Sequence, residues 1–267
     1  MSTNTKATVR TDKSKIIQAE TLKASRMAIL NEKTNFSVKE AYKAARTNFM
    51  FALSNIPDKC KKIVFTSQGP GEGKTTTSIN IAIAFAQTGA KVVIIDADLR
   101  RPHVHKYLEL DNEVGLTSVL GGFNTLEEAI KKHTLGIDCI SCGHIPPNPS
   151  ELLASDKMVA LVEELTEKYD YIILDTPPIN VVSDAIAMST KMDAGVALVV
   201  RQKYTTHDAI KKSKATLEFA NAKLIGFVLN DVTNESFTYR SRYGRYRSYR
   251  NYKKYVKYDS KYGYKYY

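Results

Sequence analysis

The sequence predicts an α/β fold: a doubly wound, mainly parallel sheet flanked by helices, with N-terminal helices ahead of it and a disordered C-terminal tail behind it. Three observations predict this. From Lys62 to Asp231, short β-rich runs alternate with helical patterns, the order that builds a parallel sheet through helical crossovers. The runs are continuously apolar rather than alternating, as strands covered on both faces are. The chain has 267 residues, 43% hydrophobic and 25% charged, which suits one large domain with extensions and excludes global disorder.

Taken in order, residues 1–15 are polar, a helix is expected over Ile16–Leu30, and Asn31–Asn35 reads as a loop. Residues 1–35 are thus read as an N-terminal extension, 36–235 as the main domain and 236–267 as the tail. A second helix opens the domain. Ser37 and Glu40 have capping-box spacing. Val38, Ala41, Tyr42, Ala45, Phe49, Ala52 and Leu53 then fall within an arc of about 120° at helical periodicity. Glu40 and Lys43 project away from that stripe, with Arg46 at its flank. Strands are expected at Ile63–Thr66, Lys91–Asp96, Tyr171–Asp175, Val196–Val200 and Leu224–Leu229, and helices at Thr75–Gln87, Asp156–Lys168 and Thr206–Ala220. Gly89 stands where a helix end calls for a left-handed residue. Sheets of this kind bind ligands at the carboxyl ends of their strands.

Charge is distributed unevenly. Of the net +11, residues 239–267 carry ten Lys/Arg against the single acid Asp259, leaving the rest of the chain at +2. The same segment holds eleven tyrosines: Tyr239, Tyr243, Tyr246, Tyr249, Tyr252, Tyr255, Tyr258, Tyr262, Tyr264, Tyr266 and Tyr267. Val256 is its only aliphatic residue, and such a composition cannot build a core. The three cysteines, Cys60, Cys139 and Cys142, argue against a disulfide scaffold and fit a reducing cytoplasm. Cys139 and Cys142 have CxxC spacing with His144 nearby, but no second pair completes a zinc site, and His103 and His105 lack a third ligand. No apolar run approaches the ~18 residues needed to cross a bilayer. MSTNTKATVR has no apolar core of the kind a secretory signal needs.

The chemistry sits at three strand ends. Ser67–Thr75 follows the first strand and opens a helix. Gly69, Gly71 and Gly73 allow backbone N–H groups to turn inward around phosphate oxygens, and the helix N-terminus adds its positive end. Lys74 would bridge the terminal phosphates and the Thr75 hydroxyl would ligate Mg²⁺. Gln68 replaces the first glycine of the strict phosphate-loop pattern. Asp96 and Asp98, spaced by two after an apolar strand, would emerge at the ligand edge. One could orient Mg²⁺ through water, and the other could accept a proton from an incoming hydroxyl. Asp175 ends a further strand of the same design. The fold class is therefore that of P-loop NTPases.

These residues resemble those of the bacterial tyrosine kinases of capsule and exopolysaccharide operons, in their Gram-positive cytoplasmic form. The resemblance spans Ser37 to Tyr267. It rests on GPGEGKTTT (69–77), DADLRRP (96–102), GLTSVL (115–120), IPPNPSELL (145–153), ILDTPP (173–178) and the terminal tyrosine cluster. The HRD and DFG signatures of eukaryotic-type kinases are absent. The resemblance implies that Gly69, Gly71, Glu72, Gly73, Lys74, Thr75, Thr76, Arg100, Asn230 and Asp231 bind ATP. It further implies that Thr75, Asp98 and Asp175 hold Mg²⁺, partly through water, and that Asp96 is the base. Glu40, Lys43 and Arg46 stand at the positions of a family ExxRxxR motif that assembles an octameric ring; Lys43 keeps the charge of the first Arg but loses its bidentate fork. Further implied are a transmembrane activator that recruits the kinase to the membrane, substrates in polysaccharide assembly and a cognate phosphatase.

The tail suits an acceptor, and its tyrosines are the expected sites of autophosphorylation. Each phosphorylation adds about −1.5 to −2 charges, so modifying about six of the eleven tyrosines would cancel or reverse the segment's +9. An Arg/Tyr-rich tail also suits nucleic acid, which would make the chain a partition-type (ParA/MinD-like) ATPase. That family carries a second, signature lysine five residues before Lys74, where this chain has Gly69. No nucleic-acid partner is therefore expected.

Overall fold

A computed structural model describes residues 17, 19–54 and 56–233. The expected phosphorylation sites Tyr239, Tyr243, Tyr246, Tyr249, Tyr252, Tyr255, Tyr258, Tyr262, Tyr264, Tyr266 and Tyr267 all lie outside the described residues, as does the expected disorder of the tail. After a helical stretch ending at residue 27, α1 (Phe36–Leu53) precedes β1 (Lys61–Ser67), α2 (Lys74–Ala86) and β2 (Val92–Asp96). Three short helices follow, α3 (Val104–Tyr107), α4 (Leu116–Leu120) and α5 (Leu126–Ala129), then β3 (Ile130–Lys132) and β4 (Asp138–Ile140). The second half runs α6 (Pro149–Leu153), α7 (Asp156–Thr166), β5 (Tyr171–Asp175), α8 (Asp184–Lys191), β6 (Gly195–Arg201), α9 (His207–Phe219) and β7 (Leu224–Asn230).

The seven strands form one sheet in the order β3-β4-β2-β5-β1-β6-β7. Among the described residues only the β3–β4 pair is antiparallel. Each expected strand forms, and Ile63–Phe65, Val92–Ile95 and Ile172–Leu174 are buried because helices cover both faces, whereas β7 at the sheet edge leaves Phe227 and Leu229 exposed. Separate apolar clusters form the two layers. Val64, Val93 and Leu174 belong to one, and Ile63, Ile94 and Ile173 to the other. Gly89 adopts φ 86° after α2, as its place in the sequence predicts. β3 and β4 escape sequence reading because each spans three residues.

Two expectations for α1 need correction. Its N-cap is Asn35, whose side chain accepts the Ser37 N–H at 3.0 Å, so Ser37 lies inside the helix and forms no capping box. The buried stripe is also narrower than the apolar pattern. Phe49 and Leu53 are buried with Tyr42 and Ala45 packed beside them, whereas Val38, Ala41 and Ala52 are exposed. α1 meets the domain chiefly at α2, and one helix neighbour covers only a narrow stripe.

Part of the expected N-terminal extension is built into the domain. Ile29 and Leu30 are buried in the cluster that holds α2. Asn80, fully buried on α2, accepts the Leu30 N–H at 2.8 Å and donates to the Ala28 carbonyl at 2.9 Å. This amide satisfies two backbone groups where water cannot reach. Asn80→Ala is expected to cost about 2 kcal/mol in urea denaturation, with hydrogen exchange accelerating first at residues 28–30.

Candidate active site

The carboxyl ends of β1, β2 and β5 meet where the strand order reverses around β1, the place an open α/β sheet offers a ligand. Between β1 and α2 the chain turns through Gly71 (φ 78°) and Gly73 (φ 85°), a backbone region that L side chains adopt only under strain. Gly73 is constrained twice, since an added Cβ would lie 1.9 Å from Asn230 Nδ2. The first helical bond of α2 runs from the Thr77 N–H to the Gly73 carbonyl at 2.9 Å. The N–H groups of Lys74, Thr75 and Thr76 therefore have no intrahelical acceptor and remain open to an anion.

Lys74 is 8% exposed and faces three acids. Its Nζ lies 3.0 Å from Asp175 Oδ1 and 3.8 Å from Asp98 Oδ2. Asp175 also accepts the Thr75 hydroxyl at 2.7 Å and the Ser78 hydroxyl at 3.2 Å. Asp96 and Asp175 are register partners on adjacent strands. Asp96 Oδ2 accepts the N–H groups of His103 and Val104 at 3.1 and 3.0 Å, while its buried Oδ1 has no hydrogen-bond partner among the described residues. Asp98 is held by the Arg101 N–H at 3.1 Å.

Charge crowding shifts these groups. Burial, then Asp175, pushes the Asp96 carboxyl well above its ordinary value, against the pull of Lys74. Burial raises Asp98 as well, again against Lys74. Burial by itself would lower the Lys74 ammonium, but Asp175, Asp98 and Asp96 outweigh it and hold it above its usual value. With one cation against three acids, the pocket attracts further positive charge. The nearby donors, the Thr75 hydroxyl and the carboxylates of Asp98 and Asp175, are all hard oxygens, which fits Mg²⁺. Among the described residues no three His, Cys, Asp or Glu side chains form a metal cage by themselves.

Arg100 borders the acids, donating to Ser150 Oγ at 2.8 Å and lying 3.6 Å from Asp184, which Ser150 in turn contacts at 2.6 Å. Asn230 donates to the Glu72 carbonyl at 2.9 Å, and Asp231 pairs with Arg201 at 2.8 Å. Glu72 is 1% exposed and turns into its own loop, accepting the Gly69 N–H at 3.1 Å and the Thr205 hydroxyl. The motif on α1 lies apart from this cluster. Lys43 pairs with Glu40 of the same helix at 2.8 Å, and Arg46 donates to the Ala84 carbonyl of α2 at 3.0 Å.

Sequence reading missed Ser78, Ser150, Asp184, Arg201 and Thr205. Ser78 was detectable, one helical turn beyond Thr75; the others reach the site only through strand order. Cys139 and Cys142 are buried free thiols, and burial raises both, Cys142 to about 12. Burial lowers the His105 imidazole to about 4.

Residues 60–223 match the family described as an AAA domain. The tyrosine-protein kinase YwqD of Bacillus subtilis is 42% identical over 209 residues, covering 77% of this chain and 84% of that one. The crystal structure of the chimerical protein CapA2B2 superposes with a TM-score of 0.69 at 38% identity, covering 74% of this chain and 86% of that one. The kinase domain of the Escherichia coli tyrosine kinase ETK gives 0.70 at 36% identity, with 80% of each chain covered. A weaker likeness, with a TM-score of 0.53 at 27% identity, links 63% of this chain to 71% of the cell division ATPase MinD of Pyrococcus furiosus.

Asp96 and Asp98 hold protons more tightly in the folded chain than in the unfolded one. Without nucleotide the folded protein therefore carries excess protons between the ordinary carboxyl value of 3.8 and their raised values. Its stability falls as pH rises through that window. Asp96→Asn should melt about 2–4 °C above the parent at pH 8 and converge on it toward pH 4 in scanning calorimetry. Lys74→Met should act in the opposite direction at pH 8, costing about 3–5 kcal/mol by stranding buried carboxylates.

Proposed function

The chain belongs to the bacterial tyrosine-protein kinases and is a protein-tyrosine kinase on a P-loop scaffold, and from that premise we propose that it phosphorylates the tyrosine cluster from Tyr239 to Tyr267 on a neighbouring copy. The observation that carries this reading is the convergence of Lys74 with three strand-end acids beside an open helix N-terminus. In this reading Gly71, Gly73, Lys74, Thr75 and Thr76 bind the phosphates of ATP, and Asn230 and Asp231 lie toward the base. Thr75, Asp98 and Asp175 hold Mg²⁺, which supplies charge neutralisation for the transferring phosphoryl group.

Asp96 is the proposed base. Oδ2 is tied to two backbone N–H groups, which leaves Oδ1 free to accept the phenol proton. A carboxylate raised above its usual range is a stronger base than an exposed one. The phenolic oxygen forms a bond to the γ-phosphorus as the bond to the bridging oxygen breaks, and ADP leaves with that electron pair. Lys74 offsets the negative charge at the phosphates.

The tail's net +9 would steer it toward this acidic edge. We read Glu40, Lys43 and Arg46 as part of a ring interface, an octamer in the unphosphorylated state that loosens once the tail charge reverses. Recruitment to the membrane would run through a separate transmembrane activator; among the described residues no helix is long and apolar enough to cross a bilayer. Substrates in capsule or exopolysaccharide assembly and an opposing phosphatase complete the proposal. The ATPase-switch alternative shares the fold but calls for a signature lysine where this chain has Gly69.

With ATP, Mg²⁺ and the activator's cytoplasmic segment, a chain truncated before Tyr239 should bind ATP without labelling itself. Mixed with full-length Asp96→Asn, it should place phosphotyrosine on the inactive partner's tail, read by phosphosite mapping. Absence of tail phosphotyrosine in the mixture would refute transfer between copies, and an unchanged native mass at high phosphate load would refute ring loosening.

A further inference from the structure

Three consecutive carbonyls of the phosphate loop receive donors from outside it. Pro70 O lies 3.5 Å from the Tyr204 hydroxyl, Gly71 O accepts Arg201 Nη1 at 3.3 Å, and Glu72 O accepts Asn230 Nδ2 at 2.9 Å. In a trans peptide the carbonyl of one residue and the N–H of the next point in opposite directions. Drawing these carbonyls toward the β6–α9 loop and the end of β7 therefore aims the N–H groups of Gly71, Glu72 and Gly73 the other way. That is the polarity an anion nest requires.

Glu72 closes the arrangement from within. Its carboxylate is buried with two acceptor oxygens in use, Oε2 on the Gly69 N–H at 3.1 Å and Oε1 on the Thr205 hydroxyl. Thr205 Oγ1 accepts the Arg201 N–H at 2.8 Å, so its single proton is directed to Glu72. Arg201 is fixed by Asp231, at 2.9 Å through Nε and 2.8 Å through Nη2. The buried carboxylate is thus the hub between the loop and its strap.

We propose that Glu72 is a positioning residue rather than a nucleotide contact, and that with Thr205 and Arg201 it forms a strap that sets the direction of the phosphate-binding N–H groups before ATP arrives. The proposal rests on the nucleotide site described above but not on the identity of the phosphate acceptor. Preorganised donors need no rearrangement on binding, so loss of the strap should appear in ATP affinity. The transfer step itself, carried by Lys74 and the three acids, should be little changed.

The test uses the full-length chain with Thr205→Val, Thr205→Ser, Glu72→Gln and Glu72→Ala. Dissociation constants are read by titration with a fluorescent ATP analogue, kcat and KM by tyrosine phosphorylation, and folding by melting temperature. Thr205→Val, which keeps the shape and removes the hydroxyl, should weaken ATP binding and raise KM about 5–10-fold, the size of one typical net hydrogen bond. Its kcat should stay within about twofold, and Thr205→Ser should restore parental values. Glu72→Gln, with one acceptor oxygen in place of two, should fall between the parent and Glu72→Ala. If Glu72→Ala does not fold, the Thr205 pair decides alone.

Parental ATP affinity in folded Thr205→Val would overturn the proposal. So would equal losses in Thr205→Val and Thr205→Ser, which would indicate packing rather than hydrogen bonding. A parent chain that binds ATP yet never labels tyrosine would sink the kinase reading and leave this one standing.

Discussion

A single buried ammonium facing three carboxylates governs this molecule. Lys74 sits at the first turn of α2, and Asp96, Asp98 and Asp175 arrive on or just beyond the ends of two adjacent strands. Charges of one sign packed this closely are costly in a site with little water. The backbone offsets part of that cost, since His103, Val104 and Arg101 donate N–H groups to the acids. What is left over is an excess of negative charge whose natural complement is a cation arriving with its phosphates. A ligand that brings a cation to this site would stabilise the folded chain.

That electrostatic arrangement demands rigidity beneath it. The strands bearing the acids are fully buried across their middles, and the β2–β5 ladder fixes Asp96 against Asp175. The turns near the acids are tied back to the sheet. The Thr176 hydroxyl donates to the Phe65 carbonyl at 2.8 Å, and the Thr66 hydroxyl to the Pro177 carbonyl at 2.8 Å. These crossed bonds lock the exits of β1 and β5 to each other, so the loops can carry function without wandering. The N-terminal segment contributes from the other side, with Asn80 anchoring it to the helix that begins at Lys74.

Much of this was legible in the residues. β5 spans Tyr171–Asp175 as read from its apolar run, and α2, α7 and α9 start and stop within about two residues of their expected limits. Glycines at 71 and 73 take the left-handed conformations that a loop cradling an anion requires. The misreadings are of one kind. Asn35 rather than Ser37 caps α1, and Val38, Ala41 and Ala52 face outward despite their periodicity. Local pattern shows that a helix forms but not how wide a neighbour it will meet. Glu72 is a separate case: its place in the loop motif suggests a ligand contact, while in space its carboxylate accepts from the Gly69 N–H and the Thr205 hydroxyl.

The sheet class, the phosphate loop and the acids at the strand ends can be read from the residues, because each depends on spacing within a few residues and on backbone rules that hold in any context. The sequence also places the tyrosines and the positive charge together at the C-terminal end. Folding brings together side chains far apart in the chain: Thr205 and Asn230 on the phosphate loop, Asp184 behind Arg100, Asn80 around Leu30. Those contacts cross 50 to 158 positions of sequence. They exist because strand order brings distant loops to one edge of the sheet, and nothing in a local pattern encodes that order.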